Sequence, residues 1–147
     1  MRNIKKLNFE KIGCLETGYI TALEEHKNIP FSIKRVYYSY LVPGDIQRGR
    51  HAHKTLEQVL ICLCGSITVS VTDGQLTDTF ILDDPAEGLY IGPYIWRDMY
   101  DYRNNAVLMV LASDYYDEND YVRNYGEFIR LINHNKEEFV DGGHGSG

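Results

Sequence analysis

Between Ser66 and Thr72 the apolar residues Ile67, Val69 and Val71 alternate with Ser66, Thr68, Ser70 and Thr72, and Asp73-Gly74 follows at once. Side chains on a strand point alternately to its two faces, so this pattern predicts a half-buried strand rather than a helix. Asp-Gly accepts the positive backbone angles of a tight hairpin, so the chain should turn back there. Further strand-like runs follow at short spacing: Ser32–Tyr40, Gln58–Cys64, Leu76–Leu82, Gly88–Ile91, Arg97–Tyr102 and Ala106–Ala112. Pro43-Gly44, Asp83-Asp84-Pro85 and Gly92-Pro93 punctuate them as turns. Many short strands with turn punctuation predict an all-β sandwich, jelly roll or barrel, whose interior can hold one small ligand.

The pattern changes after Asp117. Tyr121, Val122, Tyr125, Phe128, Ile129 and Ile132 recur at helical spacing, which predicts one amphipathic C-terminal helix packed on the barrel or on a partner subunit. The Gly-rich end, 141–147, reads as a disordered tail, and His144 belongs to it rather than to a site. Residues 1–140 read as one domain, since 147 residues fall within the roughly 100–200 of a single unit.

The net charge of −6 argues against general nucleic-acid binding. No stretch approaches the roughly 20 apolar residues of a membrane helix. The opening MRNIKKLNFEKIG has charges but no apolar signal core, so a cytoplasmic location is expected. Cys14, Cys62 and Cys64 lack a zinc-type spacing, and Cys62 and Cys64 should share the buried face of one strand. Charge is unevenly spread: Lys34, Arg35, Arg48, Arg50 and Lys54 face one acid, Asp45, within a 21-residue window. A local cationic cluster on an acidic chain suits a small anionic ligand such as a phosphate, or else a charged strand edge that resists aggregation.

The residues with most chemistry lie in Arg48-Gly49-Arg50-His51-Ala52-His53-Lys54, followed by Glu57. His51 and His53, two apart on a strand, face the same way. With Glu57 they form a His-x-His-x3-Glu arrangement that resembles the first motif of the cupin superfamily, whose metal-binding members use those three residues and one later histidine to hold a divalent metal. That later histidine should follow the turn Gly92-Pro93-Tyr94-Ile95-Trp96, but the residue there is Arg97. A guanidinium stays protonated and offers no lone pair. Without a metal, two neutral imidazoles beside an arginine suit proton abstraction alpha to a carbonyl, with Arg97 stabilising the negative charge that develops on oxygen. Tyr37, of the same strand parity as Arg35 and Ser39, is a candidate to line the same cavity and exchange a proton at a ligand oxygen.

Longer segments carry a closer resemblance. IPFSIKRVYY (29–38), RGRHAHKTLEQVLICLCGS (48–66), DPAEGLYIGPYIWRDM (84–99) and VLASDYYDENDYVRNY (110–125) are similar to the sugar 3,4-ketoisomerases, small cupins acting on a dTDP-linked 4-keto-6-deoxyhexose. The resemblance runs from about Asn8 to Ile132. It implies a cupin jelly-roll barrel with a C-terminal helix, no metal and no cofactor. It also implies a homodimer that exchanges N-terminal strands, and an aminotransferase acting downstream towards 3-amino-3,6-dideoxyhexoses of surface polysaccharides.

On this reading the ketone moves from C4 to C3 through an enediolate. His51 is the base, His53 assists, and Tyr37 and Arg97 hydrogen-bond the sugar. Arg35 and Arg48 are expected at the diphosphate, with Lys54 a weaker third because its parity is opposite to that of the histidines. Many relatives have Arg at the position of Thr17 and His at that of Arg97. Both positions should lie near the sugar, and the Arg97 departure inclines the expectation to the gluco product. Three other readings stand beside this one: a nucleotide-sugar 3,5-epimerase, a silent sugar-nucleotide-binding module and a metal cupin dioxygenase.

Overall fold

Two long strands organise the molecule. The computed structural model describes residues 1–141. Its strands are β1 (Ile4–Asn8), β2 (Ile12–Cys14), β3 (Gly18–Ile20), β4 (Arg35–Ser39), β5 (Arg48–His53), β6 (Gln58–Thr72), β7 (Thr77–Leu82), β8 (Glu87–Ile91), β9 (Trp96–Ala112) and β10 (Tyr121–Val122), followed by helix α1 (Tyr125–Asp141). β6 and β9 pair antiparallel along almost their whole lengths, from Gln58 opposite Ala112 to Thr72 opposite Trp96. The first part of β6 also pairs with β8, and β8 with β1, while the last part of β9 pairs with β4. The second part of β6 pairs with β7, and the first part of β9 with β5, which carries β10. The result is an antiparallel jelly roll whose two walls share β6 and β9.

The runs Gln58–Cys64 and Ser66–Thr72, expected as two strands, are thus one bent strand, as are Arg97–Tyr102 and Ala106–Ala112. The bend of β6 is at Gly65, whose φ of +72° suits glycine. A Cβ there would come within 2.2 Å of the Arg103 carbonyl oxygen. Asn104 and Asn105 also have positive φ, so β9 turns the same corner. The register shifts between Cys62 and Cys64, which explains a difference from the sequence expectation. Cys62 is buried, but Cys64 is exposed, because the bulge puts the two thiols on different faces.

Alternation sorts the rest of β6. Leu60, Ile67, Val69 and Val71 meet Leu89, Ile91, Leu108 and Val110 in the core between the walls. Val59 and Ile61 point outward, where Phe9, Ile29 and Phe31 cover them. α1 lays Phe128 and Ile132 on Ala52, Trp96 and Val122, the outer side of β5 and its neighbours. The helix begins later than its spacing suggested: Tyr121 and Val122 belong to β10, and Asn124 starts the helix by accepting from the Glu127 N–H at 2.9 Å. Its last residue is Asp141, and the remainder of the expected tail, 142–147 with His144, lies outside the described residues. No helix of the described residues is long and apolar enough to cross a membrane.

Candidate active site

β5, β6 and β9 bring their polar residues together on the inner face. β5 reaches the histidines through a bulge, with Gly49 at φ +82° and Arg50 at +57°, and the register shifts between Gly49 and His51. A Cβ at Gly49 would lie 3.0 Å from the Arg97 carbonyl oxygen, so the bulge can sit close against β9 only with glycine. His51 then stands directly opposite Arg97 in the ladder. Ala52 faces the helix, leaving His51 and His53 inward with ring centroids 4.9 Å apart, edge to face. Tyr121 packs against both rings, at 5.0 and 4.3 Å.

Hydrogen-bond partners fix the tautomers of both imidazoles. His51 Nδ1 lies 3.0 Å from the Gly49 carbonyl oxygen, which can only accept, so Nδ1 carries the hydrogen and Nε2 the lone pair. His53 Nδ1 donates to Asp120 Oδ2 at 3.2 Å, and its buried Nε2 has no partner among the described residues. Burial, then the Arg97 charge, pulls His51 down to about 4 and lowers His53 for the same two reasons. Both rings are therefore neutral at neutral pH. Burial opposes ionisation of Asp120, yet hydrogen bonds from Thr55 and Leu56 prevail and hold its carboxyl below the usual value.

Arg97 is 1% exposed, and burial lowers it to about 10, which still leaves it cationic. It donates through Nη1 to Gln58 Oε1 and through Nη2 to the Ile95 carbonyl oxygen at 3.1 Å. Gln58 Nε2 in turn donates to Tyr37 Oη at 2.8 Å. Burial raises Tyr37, so its phenol stays protonated.

These groups border a cavity of about 720 Å³. Of the residues singled out in the sequence, Arg35, Tyr37, Arg48, His51 and Arg97 line it. His53 sits behind His51, at 0% exposure, and does not line the main cavity. Lys54 and Thr17 lie outside it within one chain. Lys54 Nζ donates to the Asn119 carbonyl oxygen at 3.2 Å, and Thr17 is in the exposed turn between β2 and β3, beside Cys14. Glu57 does not join the histidines either. It points to the other face, where it accepts from Tyr90 Oη at 2.6 Å. Among the described residues no group of three or more His, Cys, Asp or Glu side chains is arranged to hold a metal.

Gln58, Asp120, Tyr121 and Arg123 belong to the site but were not singled out for it from sequence. Gln58 shares the inward parity of Leu60, a signal that was available. Asp120 and Arg123 lie in the segment 110–125 already noted for its resemblance, but their roles need the fold. Arg123 lines the cavity, stacks over Tyr121 at 4.1 Å and pairs with Glu118 at 2.7 Å. Arg35 lies over Tyr37 and Tyr116 at 5.2 and 5.8 Å, so the cavity is bordered by arginines and aromatic faces. Chemically, it joins a neutral imidazole base, a protonated phenol and a buried cation around room for a small anionic ligand.

The comparisons agree with this chemistry. The family model FdtA, described as WxcM-like, C-terminal, matches residues 2–133. A curated TDP-4-oxo-6-deoxy-alpha-D-glucose-3,4-oxoisomerase of Aneurinibacillus thermoaerophilus is 54% identical over 128 residues, 87% of this chain and 91% of the relative. A histidine-to-asparagine mutant of the 3,4-ketoisomerase QdtA of Thermoanaerobacterium thermosaccharolyticum, in complex with TDP-4-keto-6-deoxyglucose, is similar at 45% identity and a TM-score of 0.87, covering 90% of this chain and 95% of that one. The WlaRB TDP-quinovose 3,4-ketoisomerase of Campylobacter jejuni is similar at 46% identity and a TM-score of 0.84, covering 88% and 99%. Fold, cavity and sequence lead to one conclusion: the chain belongs to the FdtA (WxcM-like, C-terminal) family, with the cupin-type fold of the sugar 3,4-ketoisomerases.

Proposed function

We propose that this protein is a 3,4-ketoisomerase that converts TDP-4-keto-6-deoxyglucose to the 3-keto sugar. The observation that carries this reading is a neutral His51, with its lone pair on Nε2, directly opposite the buried Arg97 cation on a cavity wall. The C3 hydrogen is acidic because it is alpha to the C4 ketone. His51 Nε2 takes it, and the electron pair left at C3 forms a C3–C4 double bond while negative charge moves to O4; passing the O3 hydrogen to O4 then puts the charge of this enediolate on O3. Arg97 supplies positive potential as that charge grows, and Tyr37 donates a hydrogen bond. Return of a proton to C4 completes an isomerisation with no change in atoms. His53, locked by Asp120, backs His51.

Arg35 and Arg48 are assigned to the diphosphate, with Arg123 added to them on its place in the cavity lining. Among the described residues the β2–β3 hairpin pairs with no other strand, and Ile12, Leu15, Tyr19 and Ile20 on it are exposed. A homodimer that exchanges N-terminal strands would cover them and could bring Thr17 to the other subunit's sugar. The gluco product is favoured on Arg97, with an aminotransferase consuming it, in the cytoplasm.

The test is proton NMR of TDP-4-keto-6-deoxyglucose with chelator-treated protein in deuterated water. A 3-keto sugar carrying deuterium at C4 is expected. The C4 coupling in ordinary water then identifies the epimer. Exchange at C3 and C5 with the ketone still at C4 would instead make the protein a 3,5-epimerase, a reading that the His53–Asp120 pair keeps in view. Binding with no exchange at all would make it a silent module.

A further inference from the structure

Gln58 is buried at 1% exposure, lines the cavity, and connects Arg97 to Tyr37. The direction of these contacts follows from donor chemistry alone. A guanidinium has donors and no acceptor, so the Gln58 atom facing Arg97 is the carbonyl oxygen. The amide nitrogen must then face Tyr37, 2.8 Å from Oη. That nitrogen donates, so the phenol oxygen accepts, and the phenol's own hydrogen lies elsewhere. Tyr37 borders the cavity, and the group over its ring, Arg35, offers no acceptor.

We propose that Gln58 is a positioning residue that holds the Tyr37 hydroxyl with its hydrogen aimed into the cavity, as a fixed donor to the substrate oxygen that gains negative charge. All three links run one way, from guanidinium to amide to phenol to substrate, so each polarises the next. An acid at this position would reverse the last protein link by accepting the phenol hydrogen. Glu57, one residue earlier, is turned to the outer face, so the amide alone enters the site. This inference rests on the isomerase reading for the identity of the oxygen, though not for the direction of the phenol.

Two measurements test it. The first is a double-mutant cycle of Gln58→Met and Tyr37→Phe on turnover of TDP-4-keto-6-deoxyglucose. Each single variant should lose about 10- to 100-fold in kcat, with TDP affinity within about threefold, and the double variant should be no worse than the poorer single. Losses that multiply, or a Gln58→Met enzyme with full kcat, would overturn the proposal. An inactive wild type would instead sink the isomerase reading and leave the second measurement to decide. That measurement needs no substrate: 3-fluorotyrosine is placed at position 37 and its ionisation followed by fluorine NMR. Gln58→Glu should raise the phenol pKa by more than about one unit, since a donor to its oxygen becomes an acceptor of its hydrogen. An unchanged or lowered value would refute the proposed direction. A Gln58→Met variant that fails to fold leaves this second outcome decisive.

Discussion

His53 and Asp120, 67 positions apart in the chain, meet through Nδ1 and Oδ2 at 3.2 Å. The same carboxylate accepts from the Thr55 N–H at 2.9 Å, the Thr55 hydroxyl at 2.7 Å and the Leu56 N–H at 3.2 Å. It therefore pins the turn after β5 while it fixes the His53 tautomer. Asp120→Asn should lower stability by about 1–3 kcal/mol. It should also lower kcat about tenfold, because a carboxamide no longer enforces Nδ1–H on the imidazole. A thermal melt and a turnover assay on the same preparation separate the two roles. A lowered melting point with intact kcat would leave Asp120 as a staple only.

His51 gives a pH prediction with a definite sign. Its folded value, about 4, lies below the ordinary 6.5, and His53 is lowered in the same direction. Between those pH values the unfolded chain binds protons that the folded chain refuses, so stability rises with pH there. The contribution is fully present above about 6.5 and is lost as pH falls through about 4. Denaturant melts should be flat in midpoint from pH 7 to 8 and fall steadily from 6.5 to 4. In the same enzyme kcat/KM should show no step near 6.5, since the free base is already neutral there. A step at 6.5 would mean a solvated His51.

His51→Asn keeps a polar side chain at the position but removes the lone-pair nitrogen proposed as base. Turnover should fall by at least about 10³-fold, with TDP affinity changed by no more than about threefold. Isothermal calorimetry with TDP alongside the NMR assay checks both, and an equal loss of binding would remove His51 from the role of base.

Arg97→His removes the donors to Gln58 and the Ile95 carbonyl oxygen, at a cost of about 1–3 kcal/mol. The protein should still melt cooperatively and bind TDP. The rate, or the configuration at C4 of the product, should change, as read from the C4 proton coupling. Loss of the folded state would show instead that the buried cation is structural.

Much of this was legible in the chain, for local reasons. Alternation at Ile67, Val69 and Val71 reports a strand wherever it pairs, and the resemblance to the cupin motif placed Arg97 beside His51. The bends were hidden. Gly65 reads as a break between strands, and only the facing Arg103 and Asn104 carbonyls show why the chain must pass through it without a side chain. Cys64 changed face for the same reason. β1 was invisible because only Ile4 and Leu7 are partly buried, a spacing with no strand period, and pairing with β8 makes it a strand. Tyr121 and Val122 fit helical spacing by coincidence, and their partners on β5, His53 and Ala52, decide otherwise. Asp120 could not be assigned to His53, since nothing local marks a contact over that separation. Gln58 could have been, by counting two residues back from Leu60.

The shared strands also determine how the cavity is held. β6 and β9 run from one wall to the other as a pair, and their register shifts where they round the corner at Gly65 and Asn104-Asn105. Within each wall, parting the two strands would break paired backbone hydrogen bonds. Tyr116, Tyr121 and Arg123 line the cavity from the segment between β9 and α1. The spacing of His51, Gln58 and Arg97 is thus set by strand pairing, whereas Tyr116 and Arg123 take their places from the chain between β9 and α1.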